Sequence, residues 1–110
     1  RNSAEIARTY EESIVNPLAG LVPRPRIIAT GNWFPTDGMP YPLWAQQIED
    51  VYRSICRRYG IDFVSVAKYA ADPACHGYGE YDGVRWHPND RGMAGYAREI
   101  FTAFRNGAAM

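Results

Sequence analysis

Apolar positions along the chain recur with two different periods. In NSAEIARTYEESIVNPLAGL, Ile6, Tyr10, Ile14 and Leu18 stand four apart, the stripe of an amphipathic helix. Asn2 followed three residues later by Glu5 fits a capping box at its start. Pro17 is expected to kink or divide this helix near Asn16, because it lacks an N–H and crowds the preceding turn. A Pro-rich turn follows. The short apolar run Ile27, Ile28, Ala29 in RPRIIATGNWF then suits a buried parallel strand. PTDGMPYP reads as a loop, with Pro42 at the first helical position. Trp44, Ile48, Val51, Tyr52, Ile55 and Tyr59 mark one face of a long helix. Arg53, Arg57 and Arg58 lie toward its C-terminal, partially negative end, and Gly60 is its stop. IDFVSVA, β-branched and aromatic, reads as a second strand. A long loop, KYAADPACHGYGEYDGVRWHP, leads to a last helix capped by Asn89 or Asp90. Its apolar stripe is Met93, Tyr96, Ala97, Ile100, Phe101 and Phe104, and Gly107 ends it.

The order helix, strand, helix, strand, helix implies an α/β fold with a parallel sheet. Two parallel strands leave both sheet edges open, and parallel strands of this buried type need more neighbours. The expectation is that residues 1–110 form the C-terminal portion of a single larger α/β domain.

Composition narrows the partners. Hydrophobic residues make up 46% and charged residues 22%, a globular balance. Twelve basic residues offset twelve acidic ones, so nothing marks a nucleic-acid partner. No apolar run is long enough to span a membrane. The chain opens on Arg1 with no leader, which reads as a processed or truncated start, so the N-terminus does not set the compartment. The two cysteines, Cys56 and Cys75, match no zinc or redox spacing; they either pair as a disulfide or stay as separate thiols.

Candidate chemistry gathers in DGVRWHPND. His87 lies in the loop after the second strand, just ahead of a helix, and such loops collect ligands at the carboxyl ends of parallel strands. The helix N-terminus disfavours imidazolium, which suits a general base. Asp82 and Glu80 are near enough in sequence to hold its tautomer. The plain alternative is a loop histidine bonded only to backbone. Trp33, Phe34, Tyr41, Tyr78, Tyr81 and Trp86 crowd the loops, either as faces for sugar rings or acyl groups or as a cover for the core. His76 with Cys75, Glu80 and Asp82 fits no standard metal spacing, so no metal is assigned and no cofactor is implied.

The segment DGVRWHPNDRGMAGYAREIFTAF resembles the last block of the SGNH (GDSL-type) serine hydrolases, in which Asp-x-x-His-Pro precedes a C-terminal helix. His87, Pro88, Asn89, Asp90, Gly92 and Met93 carry the likeness. PRIIATGNWFP, YPLWAQQIEDVYRSICRRYG and IDFVSVA fall in the order of that family's second half. The resemblance implies a three-layer α/β/α, flavodoxin-like fold, of which this chain is the C-terminal part. It implies hydrolysis of carboxylic esters, acyl or acetyl groups on carbohydrate among them. His87 is then general base and acid, and Asp82 its orienting acid. Trp33, Phe34 and Trp86 are the candidate substrate contacts.

Two departures qualify the likeness. Asp82 lies five positions before His87 where the family has three, so either Arg85 and Trp86 are inserted or a backbone carbonyl orients the ring. The family's Gly-Asp-Ser block is absent, and no Gly-x-Ser-x-Gly elbow replaces it. Ser3 lies near a helix start, Ser13 and Ser54 on helices and Ser65 inside a strand, so none reads as a nucleophile. The serine is expected on an N-terminal segment of the same domain, in cis or as a separate chain. RNS resembles the end of the family's Gly-x-Asn-Asp block, which makes Asn2 a candidate oxyanion donor as well as a helix cap. The rival from another class is a non-catalytic α/β module that binds carbohydrate or protein through the aromatic loops.

Overall fold

A computed structural model describes residues 2–77 and 85–108. Its elements are α1 (Ser3–Tyr10), a π-helical turn (Glu11–Val15), α2 (Asn16–Ala19), β1 (Ile28–Thr30), α3 (Leu43–Arg58), β2 (Asp62–Val64), α4 (Ala67–Ala70), a 3-10 turn (Pro73–Cys75) and α5 (Asp90–Ala108). The two strands pair in parallel, with Ala29 opposite Phe63. The chain is thus mixed α/β around a small parallel sheet.

The α-helix is divided ahead of Pro17, as expected, but by a π-helical turn between α1 and α2 rather than by a break in the helical path. The backbone widens one turn ahead of the proline, where the Asn16 N–H reaches back five residues to the Glu11 carbonyl. That wider turn accommodates a ring with no N–H to give, and helical structure continues through Pro17 to Ala19.

One side of the sheet is covered by α3, and α1 packs against α3. Ala29 and Phe63 pack on a core of Val15, Ile55, Cys56 and Ile61, joined by Tyr10 and Val51. Asn2 caps α1, its Oδ1 accepting from the Glu5 N–H at 2.9 Å. Pro42 is the N-cap of α3 rather than its first residue, since its ψ of 140° is extended, and its carbonyl accepts from the Ala45 and Gln46 N–H groups. At the other end Gly60 adopts φ +68°, so the Gly60 N–H meets the Arg57 carbonyl and the Ile61 N–H the Cys56 carbonyl. This is the left-handed termination that only glycine makes without strain. The face that α3 buries is Ala45, Glu49, Ile55 and Cys56, while Trp44, expected on the buried stripe, is 54% exposed.

α5 contacts both strands, and its C-terminal half shares a cavity with Asp62 and Val64, the residues flanking Phe63. Of its expected apolar stripe Tyr96 is half-buried, but most of the large groups are not what it packs. Gly92 and Gly95 are buried, whereas Met93 (56%), Ile100 (38%), Phe101 (60%) and Phe104 (52%) are exposed. The glycines permit contact closer than any side chain would: Gly95 abuts the Tyr69 ring, and Gly92 abuts the Cys75 carbonyl. Cys56 and Cys75 are both buried free thiols, so the disulfide does not form. Cys56 Sγ instead lies 3.5 Å from the Tyr10 hydroxyl, whose pKa is raised by burial and then by that contact.

Candidate functional site

His87 stands three residues before α5, and its position is fixed by the backbone on either side. The Gly77 N–H donates to the His87 carbonyl at 2.8 Å, and Pro88 bridges His76 in antiparallel fashion. Asn89 completes the anchor with all its polar atoms. Its Oδ1 accepts from the Gly92 N–H at 3.0 Å, which caps α5. Its Nδ2 donates to the Ala74 carbonyl (2.9 Å) and the His76 carbonyl (2.8 Å), and its own N–H donates to the Cys75 carbonyl. The expected N-cap was Asn89 or Asp90; it is Asn89. One residue therefore ties the helix start to the 3-10 turn and sets where His87 leaves the fold. The His87 side chain is exposed.

The His87 strand of the loop lies at the carboxyl end of β1. Trp33, three residues past that strand, donates its indole N–H to the Trp86 carbonyl at 2.7 Å. Its ring meets Tyr96 of α5 at 6.0 Å and the edge of His76 at 5.9 Å, and His76 lies 5.4 Å from the Trp86 ring. Trp33 and Trp86 are thus brought together. Phe34 belongs to a neighbouring group. It packs edge-on against Trp44 at 4.9 Å, and its N–H donates to the Tyr41 hydroxyl at 3.1 Å. Burial pushes the Tyr41 hydroxyl up to about 12, against the lowering effect of that hydrogen bond.

His76, weighed earlier only as a metal ligand, is a core residue. It is buried, and its Nε2 lies 2.6 Å from the Ala70 carbonyl. A carbonyl only accepts, so the proton sits on Nε2. Glu80 and Asp82 lie outside the described residues, as do Tyr78 and Tyr81. The orienting role of Asp82 therefore falls on a residue with no described geometry.

Asn2 lies at the same end of the fold as the aromatic loops. Ser3 and Ile6, next to it on α1, share a cavity with Trp44, Gln47 and Ile48 of α3. Its Oδ1 is committed to the cap, which leaves the Nδ2 donors as the group that an oxyanion role would use.

Ser65 departs from the expected strand interior. β2 ends at Val64, and Ser65 occupies the turn into α4, accepting from the Ala67 N–H at 3.1 Å. Its hydroxyl lies 2.9 and 2.8 Å from the two oxygens of Glu49, a buried carboxylate on α3. The serine thus does follow a strand, but its one proton is directed to Glu49. Among the described residues no serine bonds to either histidine. The Glu49–Ser65 pair was missed in the sequence. The signal was there: Ala45, Glu49 and Cys56 form one helical row, and a carboxylate in a buried row requires a donor.

No protein-family model, no curated protein and no solved structure matches this chain.

Proposed function

We propose that this chain is the histidine-bearing part of a serine ester hydrolase of the SGNH type, with the three-layer α/β/α fold of that family. The observation that carries the reading is the placement of His87. It is exposed, it immediately precedes a backbone-anchored helix start, and its loop is bonded to the segment leaving β1. Helices against both sides of the strand pair support the layered fold.

In this reading His87 takes the proton of a serine and later returns it to the leaving alcohol, with Asp82 or a backbone carbonyl holding the ring. The Nδ2 of Asn2 donates to the oxyanion. Trp33, Phe34 and Trp86 border the ester's acyl or sugar part. The serine is supplied by a segment beyond these residues, in cis or in trans.

The test is fluorophosphonate labelling and ester turnover by the full-length polypeptide. His87→Ala is expected to lower kcat by several orders of magnitude with a much smaller change in KM. Asp82→Asn is expected to cost roughly 10²–10⁴-fold, the range for orienting residues of catalytic triads. The 110-residue chain alone is expected to be inactive on p-nitrophenyl acetate. Near-normal kcat in His87→Ala removes the hydrolase reading. That result leaves the aromatic loops as a binding surface.

A further inference from the structure

α1 packs against α3, and toward their N-terminal ends the two helices leave a cleft of about 250 Å³. α1 contributes Ser3 and Ile6. α3 contributes Trp44, Gln47, Ile48 and Val51, which recur at the three- and four-residue spacing of one helical face. Ile6, Ile48 and Val51 are half-buried and form its apolar floor. Ser3, Trp44 and Gln47 are exposed and edge it. One turn further along both helices the Tyr10 and Tyr52 rings stack at 4.0 Å, which closes that end.

The open end adjoins the candidate site from two directions. Asn2, whose Nδ2 is the candidate oxyanion donor, is the residue before Ser3. Phe34, from the segment after β1, packs edge-on against Trp44 at 4.9 Å. None of the lining residues is charged, so the cleft offers an ionic group no partner. A sugar ring would turn hydroxyls toward Ile6, Ile48 and Val51, which accept no hydrogen bond, whereas an alkyl chain loses nothing there. The direction follows from the chemistry of an ester. The oxyanion donor meets the acyl carbonyl oxygen, and the base returns its proton to the alcohol. The alcohol therefore lies toward His87, and the group that extends from Asn2 is the acyl chain.

We propose that the cleft between α1 and α3 binds the acyl chain of the ester, a straight alkyl chain with its carbonyl at Asn2 and its methyl end toward the Tyr10–Tyr52 stack. At roughly 30 Å³ for each water-sized group, a cleft of this volume holds about eight methylene-sized groups. The substrate class is then a medium-chain acyl ester rather than an acetyl ester. The place of the chain in catalysis rests on the hydrolase reading, whereas the affinity of the cleft for a medium-chain acyl group does not.

Two measurements on the full-length polypeptide test it. With p-nitrophenyl esters, kcat/KM is expected to rise by about fourfold per methylene from butanoyl to octanoyl, the worth of one buried methylene, and to fall by dodecanoyl. Gln47→Trp at the exposed rim and Ile48→Phe at the floor are each expected to lower the octanoyl-to-butanoyl ratio by roughly tenfold, because each fills the cleft. With sodium octanoate, the product acid, NMR is expected to show shifts of the Ile6 and Ile48 methyl groups and of the Trp44 indole N–H, suppressed by Gln47→Trp. A chain-length profile that is flat in an active enzyme overturns the proposal. So does a rising profile that neither variant alters, which puts the acyl chain elsewhere. Octanoate that leaves Ile6, Ile48 and Trp44 unshifted overturns it whatever the turnover. Octanoate binding needs no serine, so octanoate shifts without turnover of any ester remove the hydrolase reading and uphold the cleft as an acyl-binding site.

Discussion

The indole N–H of Trp33 and the carbonyl oxygen of Trp86 are 2.7 Å apart, a hydrogen bond between residues 53 positions distant. It joins the segment leaving β1 to the residue just before His87. Trp33→Phe removes the donor together with part of the ring that packs against Tyr96 and His76, leaving the Trp86 carbonyl to find water. The expected cost by urea unfolding is about 1 kcal/mol for the bond and about 1 kcal/mol or more for the lost packing. The more specific expectation is faster exchange of the Gly77 amide, which bonds to the next carbonyl along, that of His87. A Gly77 rate equal to that of the parent chain means that the indole bond does not hold the loop.

Asn89 tests how the histidine loop is fastened. Asp is as good a helix cap as Asn, so Asn89→Asp keeps the bond to the Gly92 N–H. It loses both donors and turns a carboxylate toward the Ala74 and His76 carbonyls. Asn89→Asp is therefore expected to destabilise by about 2 kcal/mol or more, although as a cap replacement it would be neutral. Equal melting of the two proteins at neutral pH shows that the two amide bonds contribute nothing.

Gly92 gives a prediction of opposite sign to the usual one. Gly→Ala inside a helix ordinarily stabilises by about 1 kcal/mol. Here a Cβ would lie 2.8 Å from the Cys75 carbonyl oxygen and 2.8 Å from Pro88 Cβ. The carbonyl is backbone and Pro88 is bridged to His76, so neither yields without moving the loop. Gly92→Ala is expected to destabilise by about 1–3 kcal/mol, the cost of overpacking, with the shift read as a lower Tm. A raised Tm means that the helix and turn are further apart than described.

Much of the fold was legible because local chemistry decided it. The two strands were marked by apolar β-branched runs, and Gly60 by its place after a helical stripe; Asn89 stood ahead of one. The helix faces were less legible. Periodicity locates an apolar stripe but not what covers it. α5 packs through Gly92 and Gly95 because the Cys75 carbonyl, Pro88 and Tyr69 come too close for larger side chains, and Met93, Ile100, Phe101 and Phe104 are left outside. On α3 the buried row runs through Glu49, whose burial depends on a Ser65 hydroxyl from a different element. Hydropathy places that carboxylate outside. Of the candidate site, His87 and its helix were legible from the His-Pro-Asn run. The loop's fastening was not, because Gly77 and Trp33 reach it from elsewhere in the chain.

Acid is expected to loosen the helices before it affects the sheet. Glu99 of α5 accepts from the Tyr69 hydroxyl at 2.8 Å and pairs with Lys68 at 3.3 Å. These contacts hold its pKa below the ordinary 4.5, the tyrosine hydrogen bond first. Glu11 in the π-helical turn behaves alike, lowered by the Tyr59 hydroxyl and then by Arg58. For both, the folded state holds the proton less tightly than the unfolded chain. Their contribution is therefore complete above the ordinary carboxylate pKa and is lost as pH falls through the depressed values. Stability by urea unfolding should be insensitive to these two groups near neutrality and should drop below about pH 4.5, the ordinary value. Tyr69→Phe and Tyr59→Phe each remove the leading cause of one shift. Each should flatten part of that acid slope, and the double variant should flatten more than either. An acid slope unchanged in the double variant would show that other carboxylates set the acid limit.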